Sequence, residues 1–423
     1  MTAEIAVMNQ SAVALAADSA ATRSEAKIFN ANKIFALSKY RPVAVMIYGL
    51  SACMNVPWET VIKEFRSELG DKNWPTVADY GDELFAFIAA NRALFPESEQ
   101  DRFAYTYAAE KFSRIKQSIR EEINKRIEAE GPLTRQQASD VAQEVINQRH
   151  DFWKNKPRRP KLPRDLRRRA RERYGDLIVK ARDDVLQQLP LTAKQRETLM
   201  QITLDSWQNE PNSGATGVVI AGFGRDDMFP ALAGYWIDGV LLNRPIYWVS
   251  HKGVALDHNQ PAVVVPFAQD DMFRLFVEGV TPAYETFIEG YFEQMITGLG
   301  SIVLNELPAG AAMQTIKDRL EKHQATVIGS LSEKLQDKRH SLYIGPLLSI
   351  VSGLPMDELA SLAESLVNLT SLRRRVSLEQ ESVGGPIDVA VISRGDGLVW
   401  IKRKHYFPGE LNQQFFANYF RSN

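Results

Sequence analysis

The chain has 423 residues, more than a typical single domain, so we expect one elaborated domain or two domains. Its 51 basic and 52 acidic residues leave a net charge of −1, which gives no overall attraction to nucleic acid or an anionic membrane. The single cysteine, Cys53, excludes a disulfide framework and a cysteine-based zinc site, and it fits a reducing cytosol.

The first fifty residues predict buried strands. Residues 5–8 and 13–17 are apolar runs too short for helices, and Asn9, Gln10 and Ser11 between them favour a turn. Runs that are apolar on both faces are typical of strands in a sheet covered on both sides. A further apolar run, residues 43–48, ends at Gly49.

Thr2 has the chemistry of a nucleophile if the chain begins there. Methionine aminopeptidase removes an initiator Met that precedes a small residue, so we expect Met1 to be lost. The hydroxyl and the α-amine would then belong to one residue, and the amine could act as the base that a hydroxyl needs. A lysine ammonium nearby would favour the neutral amine.

The middle of the chain predicts an inserted helical region, residues 73–212. Apolar spacing predicts a helix over 58–69, before this region, and helices over 77–94 and 103–130 within it, the last with an isoleucine every fourth residue from Ile115 to Ile127. That narrow stripe is expected to bury against a single partner helix. Thr134 with Gln137, and Thr192 with Gln195, have the spacing of capping boxes.

A basic segment, residues 154–173, lies inside this region and contains eleven Lys or Arg residues. Prolines at 157, 160 and 163 indicate an extended linker that runs into a helix. The segment favours either a patch for nucleic acid or an acidic partner, or a solvated linker whose charges offset acidic helices. Few aromatic residues accompany it, so we expect no nucleic-acid partner.

The remainder of the chain returns to strands and helices. Strands are predicted at 216–224, 231–241, 245–249 and 262–266, and helices at 272–277, 283–299, 314–338 and 356–372. A hairpin, 389–393 with 398–402, closes on Asp396-Gly397. We therefore expect an α+β fold, a four-layer αββα sandwich formed by residues 1–72 and 213–423, with a helical enlargement over about 300–355.

Three stretches carry a family resemblance: TAEIAVMNQSAVALAADSAAT at 2–22, KIFAL at 33–37 and VAVMIYGL at 43–50. They resemble the start of proteasome β-type subunits and of HslV, a bacterial peptidase with the same N-terminal-nucleophile fold. The resemblance implies that Thr2 is the nucleophile and that Lys33 tunes the N-terminus. It also implies that Asp18 orients Lys33 and that the Gly49 amide binds the oxyanion.

The same resemblance implies an activity and partners. We expect a threonine peptidase that cleaves peptides or unfolded proteins through an acyl-enzyme, and a homo-oligomer in rings or stacks. A separate ATP-driven unfoldase would supply substrate. Large helical insertions set the chain apart from the family.

Two supporting positions depart from the family pattern. Gln269 stands in a stretch where the family has a Gly-Ser-Gly. Further on, Glu379 and Ser382 keep an acid–x–x–Ser spacing, whereas alignment on Gly384 and Gly385 loses both the acid and the serine. Gln269, Glu379 and Ser382 are therefore expected only to support proton transfer.

Other interpretations remain open. Asp18 and Lys33 could form an ordinary ion pair at strand ends, with Thr2 merely the second residue. The chain could then be a catalytically inactive scaffold of an assembly, or a regulator that docks nucleic acid through its basic segment. The six histidines show no ligand spacing, so no metal and no cofactor is expected. No secretory signal and no apolar run of ~20 residues is present, so we expect a cytoplasmic protein off the membrane.

Overall fold

The computed structural model describes residues 3–22, 28–159, 162–187, 189, 191–209, 215–250, 253–268, 271–305, 312–376, 384–405 and 407–420. The chain divides into two compact units. The first unit comprises Met1–Ile34 with Leu256–Asn423, and the second unit comprises Phe35–Ala255. The division inferred from the sequence, a core of residues 1–72 and 213–423 with an insertion of residues 73–212, stays a prediction.

Strands and helices alternate in blocks along the chain. The strands of the described residues are β1 Ala3–Asn9, β2 Ala12–Ala17, β3 Ala20–Thr22, β4 Ile28–Asn30, β5 Ile34–Ala36, β6 Val43–Tyr48, β7 Ala52–Cys53, β8 Val56–Pro57, β9 Thr216–Gly222, β10 Ala231–Leu241, β11 Arg244–Val249, β12 Val254–Ala255, β13 Ala262–Ala268, β14 Asp388–Ser393 and β15 Gly397–Lys402. The helices are α1 Trp58–Leu69, α2 Val77–Ala90, α3 Glu97–Glu130, α4 Arg135–Asn155, α5 Leu166–Leu186, α6 Ala193–Gln208, α7 Asp271–Glu278, α8 Pro282–Asn305, α9 Ala312–Arg339, α10 Gly345–Gly353, α11 Met356–Arg375 and α12 Gln413–Phe420.

Local sequence signals confirm several predicted elements. Both capping boxes are present: the Thr134 and Thr192 side chains each accept a bond from the backbone N–H three residues later, and the glutamine there bonds back. Helix α3 begins six residues before the predicted start. Pro96 precedes it and acidic residues occupy its first turn, an arrangement that suits the positive end of a helix.

The first unit contains a five-stranded antiparallel sheet in the order β13-β1-β2-β14-β15. Ile5 and Val7 of β1 share a core with Leu366 and Val367 of α11. Because side chains alternate along a strand, Glu4 belongs to the opposite face of the sheet. Every residue of β1 and β2 is buried, as their apolar composition predicts.

The second unit contains a sheet in the order β11-β10-β9-β6-β5, with β12 beside β10. Helices α1 and α2 pack on it through a core that includes Trp58, Phe65 and Tyr235. The Phe85 and Tyr247 rings stack at 4.0 Å between centroids. The fold is therefore α+β with antiparallel sheets, as expected, and the four-layer arrangement stays a prediction.

Helices α3 to α6 form a second core in this unit. The prediction that the isoleucine stripe of α3 buries against a single helix is wrong, because α3 contacts both α5 and α4. Ile115 and Ile119 are buried in this core, whereas Ile127 is 41% exposed. The N-terminal part of the isoleucine stripe is therefore buried in the core, and its last residue, Ile127, is exposed to solvent. No described helix has the length and apolar character to cross a bilayer.

Lys111 of α3 is a buried cation in this helical core. Its Nζ lies 4.1 Å from the ring centroid of Trp153 and 5.1 Å from that of Tyr107. Burial lowers the pKa of Lys111 to about 7, with smaller influences from the surrounding charges of Asp238, Arg114, Glu110 and Arg159. The folded state therefore binds this proton more weakly than an exposed lysine would.

The depressed pKa of Lys111 predicts a stability that rises with pH. Between about 7 and about 10 the unfolded chain holds more protons at this site than the folded chain, so the free energy of unfolding increases by on the order of 1 kcal/mol per pH unit. Urea unfolding from pH 7 to 9 measures it. Lys111→Met should remove the rise, whereas Lys63→Met, on an exposed lysine, should keep it. Equal slopes for both variants would refute the assignment.

Candidate active site

Asp18 follows strand β2 and is fully buried. Its Oδ1 accepts bonds from the Ala3 N–H at 3.1 Å and from Lys33 Nζ at 2.5 Å, and its Oδ2 accepts one from the Gly384 N–H at 3.0 Å. Three donors satisfy a carboxylate that burial would otherwise penalise strongly. Asp18 therefore ties the start of β1, the lysine and the turn before β14 together.

Lys33 is buried between two acids. Besides Asp18, its Nζ lies 3.2 Å from Glu4 Oε1, and the side chains of both acids are fully buried. The structure therefore confirms that Asp18 and Lys33 form an ion pair. Their position in one buried cluster differs from an exposed strand-end pair, which contributes little to stability.

Glu4 is the member of this cluster that sequence reasoning missed. It is one acid in the otherwise apolar run of β1, and its side chain belongs to the sheet face opposite the α11 core. The sequence signal was a charge at a position that strand burial should disfavour. Asp18, Glu4 and Lys33 together place two negative charges beside one positive charge.

Gly384 and Gly385 form part of the backbone around Asp18. The Gly384 carbonyl accepts bonds from the Ser19 and Ala20 N–H groups at 3.2 and 3.0 Å. Gly385 has φ +78°, and a Cβ there would lie 2.8 Å from Asn30 Oδ1. Glycine at 385 is therefore set by the backbone conformation, and the Gly384 amide adds a direct bond to Asp18.

Gly49 terminates β6 with φ +83°, where a Cβ would lie 3.0 Å from the Ala215 carbonyl oxygen. Glycine is needed for this backbone conformation. Gly49 belongs to the second unit, so its role as an oxyanion donor stays a prediction. Four other predicted site residues lie outside the described residues: Thr2, Gln269, Glu379 and Ser382.

The basic segment, residues 154–173, pairs with acids inside the second unit. The Arg159 side chain is fully buried and bonds to Asp238, and Arg171 lies 2.7 Å from Glu197. These pairs favour the interpretation that the charges of the segment offset neighbouring acids. The expectation of no nucleic-acid partner stays a prediction.

Comparisons with known proteins return structures alone. No family model and no curated protein matches the chain. Among solved structures, the chain is similar to a helical assembly of the Anbu complex from Pseudomonas aeruginosa, at 10% identity and a TM-score of 0.32 over 98% of this chain and 93% of that one. It is also similar to Anbu (ancestral beta-subunit) from Yersinia bercovieri, at 9% identity and a TM-score of 0.27 over the same shares. It is similar as well to the Anbu (Gly-1) mutant from Hyphomicrobium sp. strain MC1, at 10% identity and a TM-score of 0.31 over 99% of this chain and 94% of that one.

These findings correct the family inferred from the sequence. The three structures named above are Anbu proteins rather than proteasome β-type subunits or HslV, and no family model supports that assignment. The assignment to proteasome β-type subunits and HslV is therefore wrong. At these identities and TM-scores, the likeness to Anbu carries no function over to this chain.

The buried bonds of Asp18 predict a large cost for its removal. Asp18→Asn removes the charge that faces Lys33 and turns a donor toward a backbone N–H, so the free energy of unfolding should fall by about 3 kcal/mol. Urea unfolding measures this difference. The control is Glu59→Gln, which breaks an exposed pair with Lys63 and should cost under about 0.5 kcal/mol. A similar loss in the free energy of unfolding for the two variants would show that the Asp18 cluster does not stabilise the fold more than an exposed ion pair does.

Proposed function

We propose that this chain is a threonine peptidase in which Thr2, exposed by removal of Met1, is the nucleophile that cleaves peptide bonds. The proposal rests on the contacts of Ala3, Asp18 and Lys33 and not on membership of a family. Peptides or unfolded proteins are the proposed substrates, and an ATP-dependent unfoldase is a proposed separate partner.

One observation carries the proposal: Ala3 N–H and Lys33 Nζ bond to the same oxygen, Asp18 Oδ1. The two nitrogen atoms are therefore within about 6 Å of each other. Residue 2 is covalently attached to the Ala3 nitrogen, and consecutive Cα atoms are about 3.8 Å apart. The proposal sets the hydroxyl and the α-amine of residue 2 beside this buried ammonium ion.

The proposed reaction has two halves. Thr2 Oγ attacks the peptide carbonyl carbon while the Thr2 α-amine accepts the hydroxyl proton, directly or through a water. The tetrahedral intermediate collapses, the C–N bond breaks, and the α-ammonium returns the proton to the leaving amine. A water molecule, deprotonated by the same amine, then hydrolyses the Thr2 ester and restores the hydroxyl.

Lys33, Asp18 and Gly49 each have a distinct proposed role. Lys33 favours the neutral, basic form of the α-amine because two nearby ammonium ions repel each other. Asp18 positions Lys33. The Gly49 N–H is the proposed oxyanion donor, a contribution typically worth about 3 kcal/mol of barrier.

A catalytically inactive scaffold is the second candidate function. The observation that favours it is that Asp18 ties three separate chain segments together, through Ala3, Lys33 and Gly384. Such a cluster stabilises the sheet whether or not a nucleophile is present. The two candidates differ in the state of the N-terminus and in the effect of changing the Thr2 hydroxyl.

The first test combines mass and activity. Intact mass should show loss of Met1, and cleavage of unfolded casein should fall at least about 1000-fold in Thr2→Ala. Thr2→Ser keeps a hydroxyl beside the α-amine and serves as the matched control, so it should retain activity. Retained Met1, or equal activity of wild type and Thr2→Ala, would favour the scaffold.

Glu4 should shift the pH dependence of this activity. Its carboxylate lies beside Lys33 and favours positive charge in the site, which opposes the effect of Lys33 on the α-amine. Glu4→Gln should therefore move the acid limb of kcat/KM to lower pH by roughly one unit. The control is Glu59→Gln, on an exposed acid, whose profile should match wild type. An unmoved acid limb in Glu4→Gln would exclude this electrostatic role.

A further inference from the structure

Helix α8 of the first unit carries an apolar stripe on its exposed surface. The stripe consists of Tyr284, Phe287, Ile288, Tyr291, Met295, Leu299 and Ile302, which are between 36% and 64% exposed. Their spacing of three or four residues places them on one face over about five turns. The rings of Tyr284, Phe287 and Tyr291 stack in succession along this face.

The opposite side of α8 is occupied by its own unit. Gln324 Nε2 donates to the Ile296 carbonyl, and Ser332 Oγ donates to Glu289, so α9 covers this side. Glu285 bonds to Arg274 and to Arg339. The charged groups of α8 thus lie away from the apolar stripe, and the stripe itself contains no charged residue.

The size of the stripe fits a stable protein interface. Side chains of this kind have areas of about 200 Å² each, so the seven together expose roughly 750 Å². A typical interface buries about 800 Å² on each partner, and the largest patch on a monomer is about 300–600 Å². The stripe therefore supplies almost the whole area that one side of a dimer requires.

The charges of α8 distinguish a protein partner from a membrane. The charged residues of the helix are all acidic, Glu285, Glu289 and Glu293, and it contains no lysine or arginine. Interfacial helices that bind anionic lipid have basic residues on the polar face. The absence of such residues leaves apolar contact with another protein as the better match.

We propose that the apolar stripe binds the same stripe of a second copy of this chain, with the two α8 helices antiparallel about a two-fold axis. In this arrangement the two-fold axis passes beside residue 293 of each helix. Residues equally far from position 293 on the two copies then face each other. The facing pairs are Tyr284 with Ile302, Phe287 with Leu299, Tyr291 with Met295, and Ile288 with Gly298. Each aromatic ring then meets an aliphatic or thioether side chain, and a bulky residue meets a glycine. The stripe is self-complementary because its N-terminal half is aromatic and its C-terminal half is aliphatic. This inference is independent of the proposed catalytic function.

Sedimentation of the full chain at micromolar concentration tests the interface. Wild type should sediment as a dimer or a multiple of it, and Tyr291→Glu with Met295→Glu should halve that mass while circular dichroism stays unchanged. Thr286→Glu with Thr297→Glu, at exposed positions on the same helix outside the stripe, is the matched control and should keep the wild-type mass. A monomeric wild type, an unchanged mass in the stripe variant or an equal fall in the control would each overturn the proposal.

Cysteine crosslinking tests the register, because the native Cys53 is buried. A mixture of Tyr291→Cys and Met295→Cys chains should form a disulfide-linked dimer more rapidly than either variant alone. In the proposed register, position 291 of one copy faces position 295 of the other, so only the mixture brings two cysteines together. Equal rates in all three samples would overturn the antiparallel register. Flotation of wild type with phosphatidylglycerol vesicles, without self-association, would assign the stripe to a membrane instead and overturn the proposal.

Discussion

The buried carboxylate of Asp18 is the interaction on which the arrangement of the site depends. It accepts bonds from Ala3, Lys33 and Gly384, which belong to three parts of the chain far apart in sequence. A buried carboxylate must be matched by donors of this kind, because desolvation without them costs several kcal/mol. The same bonds that fix the ends of the inner strands β1 and β2 also hold an ammonium ion next to the start of β1. The hydrogen bonds of Asp18 are therefore needed both for the fold of this unit and for the proposed chemistry.

Local patterns predicted much of the fold. The helix limits Trp58–Leu69 and the strand limits Ala231–Leu241 follow the predicted spans because apolar patterning is a local signal, and so is the Gly70 that follows the helix. The start of α3 was missed because its first turn is polar and lacks the apolar spacing. The partners of its isoleucine stripe were wrong because periodicity shows that a face is buried but not how many helices bury it.

The site was predictable in part. Asp18 and Lys33 stand at strand ends and were expected to act together, and the structure pairs them. Glu4 and the Gly384 amide were not predicted, since cross-strand register and backbone donors depend on tertiary structure. The family assignment failed although it drew on several residues, because short apolar strands with one acid and one lysine also arise from strand burial and ion pairing alone.

The proposed catalysis requires Thr2 to be the first residue, with its hydroxyl and its α-amine both free. The most direct measurement is tryptic peptide mapping after treatment with a peptide epoxyketone, which reacts with a hydroxyl and an amine on the same residue. The adduct should lie on the N-terminal peptide, residues 2–23, and this peptide should begin with Thr2. An unmodified N-terminal peptide that still begins with Met1 would refute the proposed nucleophile.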